Sequence, residues 1–349
     1  MALPFQYTFP AIRGIQAGRE YYISMCPVRV IPKIFSFDNE DLPANLRAQR
    51  TLNKARVPDI AQYIVENPQS YVFSAITASV NADIAFEAIE GNDIGKLKIP
   101  MDAKFVINDG QHRRAAFEIA LRENPSIGDE TISVVFFQDI GLKRSQQMFT
   151  DLNRYSAKPD SSLNILYDHR DRRSVLSKSV MKRVPVFDKL TDVERSTLPI
   201  RSSKLFTLSS LYTATNLLLV NHKDLELEQQ IDLAAKYWNA VSDHILDWMH
   251  VLDKSVTAGE VRREYIHSHG VTLAGLGGLG ATLISLYTDN WESKLKPLER
   301  INWERTNPDW QDKVIANGTV TNNRNSRAFM TAYLKRKIGL PQTPEEERL

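Results

Sequence analysis

The sequence predicts an α+β protein, with a mixed α/β N-terminal half followed by a mostly helical C-terminal region. Within the first 160 residues, short β-prone runs alternate with stretches of helical periodicity. Beyond that point the apolar spacing is helical almost throughout. A chain of 349 residues exceeds the usual size of one domain. We therefore predict two domains, residues 1–160 and 161–349.

The elements of the N-terminal half are predicted from its β-prone runs and from two prolines. Strands are predicted at 21–25, 28–31, 71–76, 83–89, 104–108 and 132–137. Helices are predicted within 41–66, and at 111–124 and 141–153. Pro27 separates the first two strands, and Pro58 suits the first turn of a helix.

The C-terminal half is predicted from helical periodicity. Helices are expected at 161–182, 207–221, 227–252 and 326–338. Residues 184–206 are irregular because they contain Pro185 and Pro199. Residues 305–325 are rich in Asn, Thr and Gly, which favours a loop.

Composition narrows the class of protein. Hydrophobic residues make up 42% and charged residues 25%, which is typical of a globular protein. Cys26 is the only cysteine, so no intrachain disulfide can form, and no metal site is expected. The N-terminal segment lacks the pattern of a signal peptide, and no apolar run reaches the length of a membrane span. We expect a cytoplasmic protein with no membrane partner.

The most informative motif is Asp109-Gly110-Gln111-His112-Arg113, placed between a predicted strand and a predicted helix. Gly110 tolerates positive φ at the turn. The start of a helix exposes unpaired N–H groups and the positive end of the helix dipole. The motif therefore predicts a phosphate site formed by Asp109, Gly110, Gln111, His112, Arg113 and Arg114.

The same residues have a simpler structural interpretation. Asp109 would cap the helix, while His112, Arg113 and Arg114 would be solvated side chains of its first turn. Physical reasoning from the residues leaves both interpretations open.

The five-residue string is the signature of the DGQHR domain family, which the chain resembles over roughly residues 40–160. The segments that resemble the family's upstream and downstream parts are Gln49-Arg50, residues 56–64, Asp151-Leu152-Asn153 and Ala157-Lys158-Pro159. The helical remainder, about 160–349, resembles the DndB branch, which accompanies DNA phosphorothioation systems. The DGQHR domain is also similar to the ParB and sulfiredoxin group, so the resemblance implies a ParB/sulfiredoxin-like N-terminal fold.

The resemblance implies a DNA-binding transcriptional regulator of the phosphorothioation genes rather than an enzyme. Gln111 stands where the sulfiredoxin-like box has its reactive cysteine, so sulfur chemistry at this box is not implied. Gln111, His112 and Ala115 also depart from the acidic and arginine-rich ParB-like box. Phosphate binding by Gly110, His112 and Arg113 is compatible with both departures.

Three locally basic stretches, at residues 47–56, 170–204 and 324–337, are candidates for DNA contact. The predicted DNA-binding residues are Arg47, Arg50, Arg56, Arg170, Arg172, Arg173, Lys182, Arg183, Lys335, Arg336 and Lys337. Each run alone is more typical of a solvated helix face. Together with the resemblance they favour binding to double-stranded DNA, at the promoter of the protein's own operon.

Two other functions remain open on the sequence. One is a ParB-like enzyme, an NTPase or a DNA nickase, with a nucleoside triphosphate and Mg²⁺ as cofactor. Asp109 would then be catalytic, and a nuclease could use it with Asp102 to hold a metal ion. The other is a protein-interaction subunit that docks onto other phosphorothioation proteins. A homo-oligomer is compatible with each of these functions.

Two further sequence patterns are weaker indications of a binding site. Residues 275–280 match G-x-G-x-x-G but follow no predicted strand, so a closely packed helix or turn is favoured over a dinucleotide site. His267 and His269 have no evident third metal ligand and are interpreted as ordinary polar histidines.

Overall fold

The computed structural model describes residues 5–35, 52–138, 142–154, 159–287 and 289–349. It divides the chain into two compact units, Met1–Ala157 and Lys158–Leu349. The predicted combination of a mixed α/β half and a helical half is confirmed. The ParB-like form of the first half and the domain boundary at 160 stay predictions.

The first unit is built on a seven-stranded sheet. Its strands are β1 (Gln6–Gln16), β2 (Arg19–Pro27), β3 (Ile76–Asn81), β4 (Ala85–Ala88), β5 (Ile94–Pro100), β6 (Lys104–Asp109) and β7 (Thr131–Gln138). Their order across the sheet is β4-β5-β1-β2-β7-β3-β6. Neighbouring strands are antiparallel except β3 and β7, which pair in parallel from Ile76 opposite Val134.

The helices of this unit are α1 (Ile31–Ile34), α2 (Val57–Glu66), α3 (Gln111–Glu123) and α4 (Leu142–Arg154). Strand β7 alternates between exposed and buried positions, and Ile132, Val134 and Phe136 point into the core. The ring of Phe136 packs against Phe9 and Phe105, with centroids 5.7 and 6.2 Å away. This core fixes the strand end from which the DGQHR box begins.

The strand predicted at 28–31 is wrong. Residues Val28–Val30 form a short 3₁₀ turn that leads into α1. Pro32 lies in the first turn of α1, where proline is favoured because its missing N–H would have no intrahelical partner.

The strand predicted at 71–76 pairs only from Ile76 onward, where β3 begins. The rings of Tyr71 and Phe73 pack instead against Phe117 on α3, with centroids 6.4 and 5.6 Å from it. The N–H of Val72 donates to the Tyr63 hydroxyl at 3.0 Å. The β-prone side chains of this segment therefore serve helix packing rather than a sheet ladder.

The second unit consists mainly of helices. They are α5 (Ser161–Tyr167), α6 (Arg172–Arg183), α7 (Pro185–Leu190), α8 (Leu208–Leu218), α9 (Leu227–Asp243), α10 (Leu246–Leu252), α11 (Ala258–Glu264), α12 (Gly270–Leu286), α13 (Arg324–Ile338) and α14 (Pro344–Glu347). Two short two-residue pairings accompany them in the described residues: Thr191–Asp192 with Phe206–Thr207, and a hairpin of Ile315–Ala316 with Thr319–Val320. The core of the unit contains Trp238 and Trp248, which both pack against Phe187.

Two predicted helices are each divided in the structure. The helix expected at 161–182 becomes α5 and α6, because Asp168 accepts the N–H groups of Arg170 and Asp171 and Asp171 then caps α6. The helix expected at 227–252 becomes α9 and α10, with a break at His244 and Ile245.

The glycine-rich run 275–280 lies inside α12, which agrees with the packed helix favoured from the sequence. A Cβ atom at Gly277 would lie 2.2 Å from the Ala214 carbonyl oxygen on α8. A Cβ atom at Gly275 would lie 2.3 Å from the Met330 side chain on α13. These glycines let two helices approach α12 closely.

Candidate functional site

The DGQHR box is a strand, a tight turn and a helix, as the motif predicts. Strand β6 ends at Asp109, and Gly110 has a φ of +106° immediately before α3. A Cβ atom at Gly110 would lie 3.0 Å from Cγ1 and 3.3 Å from Cα of Ile76. Glycine is therefore needed here both for its backbone conformation and for close approach to β3.

The Asp109 carboxylate binds Arg113 and does not cap α3, so the capping interpretation is wrong. The Arg113 guanidinium donates to Asp109 Oδ2 at 2.6 Å. It also donates to the carbonyl oxygens of Ser74 and Ala75 at 2.6 and 2.5 Å. The side chain of Arg113 is only 15% exposed. Arg113 thus ties the segment before β3 to the first turn of α3.

Arg114 is turned toward the interior of the first unit. Its guanidinium donates to the carbonyl oxygens of Phe35 and Pro32 at 2.8 and 2.9 Å, and it pairs with Glu118 one turn later on α3. Its side chain is 8% exposed. Buried guanidinium groups need such partners, because an unpaired charge away from water is strongly unfavourable. The Arg114 guanidinium, which the sequence predicted to contact a phosphate, therefore already has structural partners within the protein.

His112 contacts the segment that precedes α2. Its Nε2 atom accepts a hydrogen bond from the backbone N–H of Asn53 at 3.1 Å, so this nitrogen carries no proton in the arrangement. Asn53 in turn caps the short turn Lys54–Arg56. The described part of the basic segment 47–56 thus lies against the DGQHR box.

Two polar side chains support the box from behind. Asn108 is fully buried; it accepts from the Ser79 hydroxyl at 2.9 Å and donates to the Ser145 carbonyl oxygen at 3.2 Å. Gln111 is 6% exposed at the first position of α3. The sequence does not single out Asn108 as a support of the box, because nothing in it places Ser79 and Ser145 beside this residue.

The backbone at the start of α3 is the part of the box that remains a candidate for anion binding. The residue before the helix is Gly110, which has no side chain that could accept the N–H groups of the first turn. The two arginines beside them are already engaged by protein groups. Phosphate binding at Asp109, Gly110, Gln111, His112, Arg113 and Arg114 stays a prediction that depends mainly on backbone N–H groups.

Several of the predicted DNA-contact residues are paired with other protein groups. Arg183 pairs with Glu228 and Asp232 on α9, and Lys182 pairs with Asp188 at 2.8 Å. Lys335 is 6% exposed, and its Nζ atom lies 2.6 Å from Glu346. Lys335 is therefore not an outward-facing cation in this structure, contrary to the surface position that DNA contact requires.

The remaining predicted contacts differ in their surroundings. Lys337 lies over the Tyr333 ring at 4.9 Å and is 46% exposed. Arg336 on α13 and Arg56 before α2 are exposed. Arg47 and Arg50 lie outside the residues that the structure describes.

The clearest group of outward-facing cations surrounds the start of α6, and we call it the α6 cation group: Arg170, Arg172, Arg173 and Lys223. All four residues are exposed. Arg172, Arg173 and Lys223 line a cavity of about 560 Å³ together with Tyr212. Sequence reasoning missed Lys223, which comes from the loop before α9 and has no lysine or arginine near it in the chain.

The carboxylates near the α6 cation group are engaged by the backbone. Asp168 Oδ1 accepts from the N–H groups of Arg170 and Asp171 at 3.0 and 2.9 Å. Asp171 accepts from the N–H groups of Arg173 and Ser174, and hydrogen bonds of this kind help to lower the pKa of Asp171. The Arg172 guanidinium donates to the Leu225 carbonyl oxygen at 2.7 Å, and all four cations of the group are exposed.

The described residues offer neither a metal centre nor a membrane-spanning helix. Within these ranges no group of three His, Cys, Asp or Glu side chains is arranged to hold a metal ion. In the same part of the chain no helix is both long and apolar enough to cross a membrane.

Comparison with known proteins gives one family. The family model of DndB, described as DNA-sulfur modification-associated, matches residues 9–341. No curated protein and no solved structure matches significantly. The match covers both the sheet unit with its DGQHR box and the helical unit with the α6 cation group, and on this evidence the chain belongs to the DndB family of proteins associated with DNA sulfur modification.

Proposed function

We propose that this DndB-family chain is a DNA-binding transcriptional regulator that acts at the promoter of its own DNA phosphorothioation gene cluster. The observation that carries the proposal is the α6 cation group, whose nearby carboxylates accept backbone N–H groups. Guanidinium groups bind phosphate oxygens through paired hydrogen bonds, so exposed arginines of this kind suit a DNA backbone.

The proposal assigns different roles to different cations. Arg170, Arg173 and Lys223 would contact phosphates, which positions the protein but carries no sequence information. Arg183 and Lys182 would contribute little, because each is already paired with a carboxylate. Sequence preference would then come from polar groups near the cavity. One of them is Tyr212, a part-buried residue whose hydroxyl donates to Asp171 Oδ2 at 3.3 Å.

The test measures binding of the promoter duplex and of a scrambled duplex by fluorescence anisotropy at several salt concentrations. Arg170→Gln/Arg173→Gln should weaken promoter binding at least tenfold and lower the salt slope by about 2, since each phosphate contact contributes about 0.9. Lys296→Gln/Arg300→Gln removes the same charge from exposed positions elsewhere in the unit and should leave both values unchanged. Equal affinity for both duplexes would refute the regulator role.

A nucleotide-binding enzyme of the ParB-like class is the second candidate. It is favoured by one observation, the uncapped start of α3 beside Gly110. Its weakness is that Arg113 and Arg114 donate to backbone carbonyl oxygens. Incubation with nucleoside triphosphate and Mg²⁺ tests it directly, and absence of both binding and turnover would exclude this candidate.

A further inference from the structure

A second cavity in the helical unit has no role in the proposal above. It has a volume of about 620 Å³, which is within the usual range of about 300–1,000 Å³ for small-molecule sites. Residues from the beginnings of three helices line it: Thr207 and Ser210 at α8, His269 and Gly270 at α12, and Asn322 before α13. The cavity and the α6 cation group share no lining residue.

The three helices run in the same direction and begin together. A Cβ atom at Gly270 would lie 2.8 Å from both Ser210 Oγ and Asn322 Nδ2. Further along α12, Gly277 meets Ala214 of α8 and Gly278 meets Thr331 of α13. Residue numbers rise together on all three helices, so their dipoles place partial positive charge at one end.

The three helices differ in whether a side chain caps their first backbone N–H groups. Thr207 caps α8, and Asn323 forms a capping box with Ser326 on α13. Helix α12 is 17 residues long and has no side-chain cap at His269. The Nε2–H of His269 points to the Arg262 carbonyl oxygen at 3.0 Å. The first two residues of α12, Gly270 and Val271, line the cavity, and His269 does not cap their N–H groups.

A buried hydroxyl group provides independent evidence for a ligand. Ser268 lines the same cavity and is only 3% exposed. Its Oγ atom has no hydrogen-bond partner in the part of the chain that the structure describes. Buried hydroxyl groups nearly always have partners, so Ser268 is a ready donor for a group bound in the cavity.

The charged residues that line the cavity are all basic. Arg262, Arg263 and Arg305 line it, and none of its described lining residues is a carboxylate. Arg262 forms part of the wall, since it donates to the carbonyl oxygens of Pro199 and Ile200 at 2.9 and 3.0 Å. Arg305 donates to the Gly318 carbonyl oxygen through one nitrogen, and Arg263, which is 66% exposed, pairs with Glu264 through one nitrogen at 2.9 Å. These two arginines keep donors available for an anion.

We propose that this cavity binds the phosphate group of a small phosphorylated molecule of nucleotide size. The first N–H groups of α12 and the Ser268 hydroxyl would hold the phosphate, and Arg263 and Arg305 would neutralise its charge. The proposal goes beyond DNA regulation and does not depend on it, because the residues involved are not those of the α6 cation group.

The experiment is isothermal titration of the full chain with inorganic phosphate, pyrophosphate and ADP. The wild type should bind at least one of them saturably. Arg263→Gln/Arg305→Gln should weaken that binding at least tenfold, and Ser268→Ala should weaken it several-fold. Lys296→Gln/Arg300→Gln is the charge-matched control and should bind as the wild type does. No saturable binding by the wild type, or equal binding by all variants, would overturn the proposal.

Folding and the source of the phosphate need separate controls. Ser268→Ala removes an unpartnered hydroxyl, so it should not lower the unfolding temperature, and it remains informative if the arginine variant is unstable. An oligonucleotide with a 5′-phosphate is compared with the same oligonucleotide lacking it. Binding of the phosphorylated oligonucleotide without binding of phosphate, pyrophosphate or ADP would overturn the small-molecule assignment.

The outcome is distinguishable from that of the regulator proposal. Promoter affinity should be unchanged in Ser268→Ala, while Arg170→Gln/Arg173→Gln should bind ADP or phosphate normally. If the small-molecule titrations fail, promoter binding can still hold, and the reverse is equally true.

Discussion

Arg113 and Arg114 are adjacent in sequence, yet each ties a different segment of chain to α3. Arg113 holds residues 74 and 75 through their carbonyl oxygens, and Arg114 holds Pro32 and Phe35. Helix positions one residue apart point about 100° away from each other, so neighbouring cations need not share a surface. A count of basic residues in the first turn therefore overstates the positive charge that a ligand meets there.

The role of Arg114 can be tested by a conservative substitution. Arg114→Lys keeps the charge but cannot reach both carbonyl oxygens with a planar group, so we expect the free energy of unfolding to fall by about 3 kcal/mol. Arg122→Lys is the matched control on the same helix, because Arg122 also contacts Glu118 but is 73% exposed. Urea unfolding followed by circular dichroism gives both values. Equal small effects would contradict the structural role of Arg114.

Buried histidines should make the helical unit sensitive to acid. Trp248 Nε1–H donates to His267 Nδ1 at 3.1 Å, and His267 Nε2 lies 3.0 Å from Asp247. Burial lowers the pKa of His267, and it lowers the pKa of His269 to about 4. The unfolded chain takes up protons near its ordinary histidine pKa of 6.5 while the native chain does not. Stability should therefore fall as the pH drops from 6.5 toward 4.

The measurement is the free energy of unfolding at pH 7.5, 6 and 5. His267→Gln should lower stability at pH 7.5 and reduce its dependence on pH. A slope that is identical in the wild type and in His267→Gln would show that His267 does not contribute to it.

At the scale of elements, sequence reasoning succeeded where one local rule determines the structure. Strand β6, the turn at Gly110 and helix α3 follow from β-propensity, glycine and helical spacing, and all three are present. Strand β1 was missed because it contains Pro10 and Gly14, which normally weaken a strand. Its seven pairings with β5 and six with β2 depend on partners far away in the sequence. Long-range pairing of this kind has no local signal.

The same distinction between local and long-range signals applies to the candidate site. The sequence located the box and the basic segments, because glycine turns and charge runs are visible locally. It could not foresee that Lys335 is buried against Glu346, since that contact depends on how α14 returns to α13. It also could not bring Lys223 beside Arg173, because 50 residues of folded chain separate them.

We call the α12 glycines that contact α8 and α13 the glycine seam, and this seam gives a prediction at the scale of elements. Gly277→Ala would place a methyl group 2.2 Å from a backbone carbonyl oxygen of α8, which cannot move without shifting the helix. We expect it to lower the free energy of unfolding by about 2 kcal/mol or more, as overpacking does. Gly278→Ala would meet side-chain atoms of Thr331, Oγ1 at 2.7 Å and Cγ2 at 2.9 Å, rather than a backbone atom. Thermal unfolding should therefore show a much smaller effect for Gly278→Ala, and equal effects would contradict the seam.

At the scale of the whole molecule, the net charge of +2 gives no long-range attraction to DNA. Binding must then depend on local groups, and the α6 cation group lies entirely in the second unit. The two hydrophobic cores share no residue: one lies within 9–136 and the other within 176–340. Each unit therefore has the apolar interior that independent folding requires.

The separate core of the second unit and the location of the α6 cation group within it predict that residues 159–349 fold alone and keep the main DNA contact. The fragment should unfold cooperatively on heating, because its core around Trp238 and Trp248 is complete. Its promoter affinity should lie within about tenfold of the full chain, and Arg170→Gln/Arg173→Gln should weaken it as in the intact protein. A folded fragment without promoter binding would place the DNA contact in the first unit, at the DGQHR box and the segment around Arg56. A fragment that does not fold would instead show that the second core is incomplete without the first.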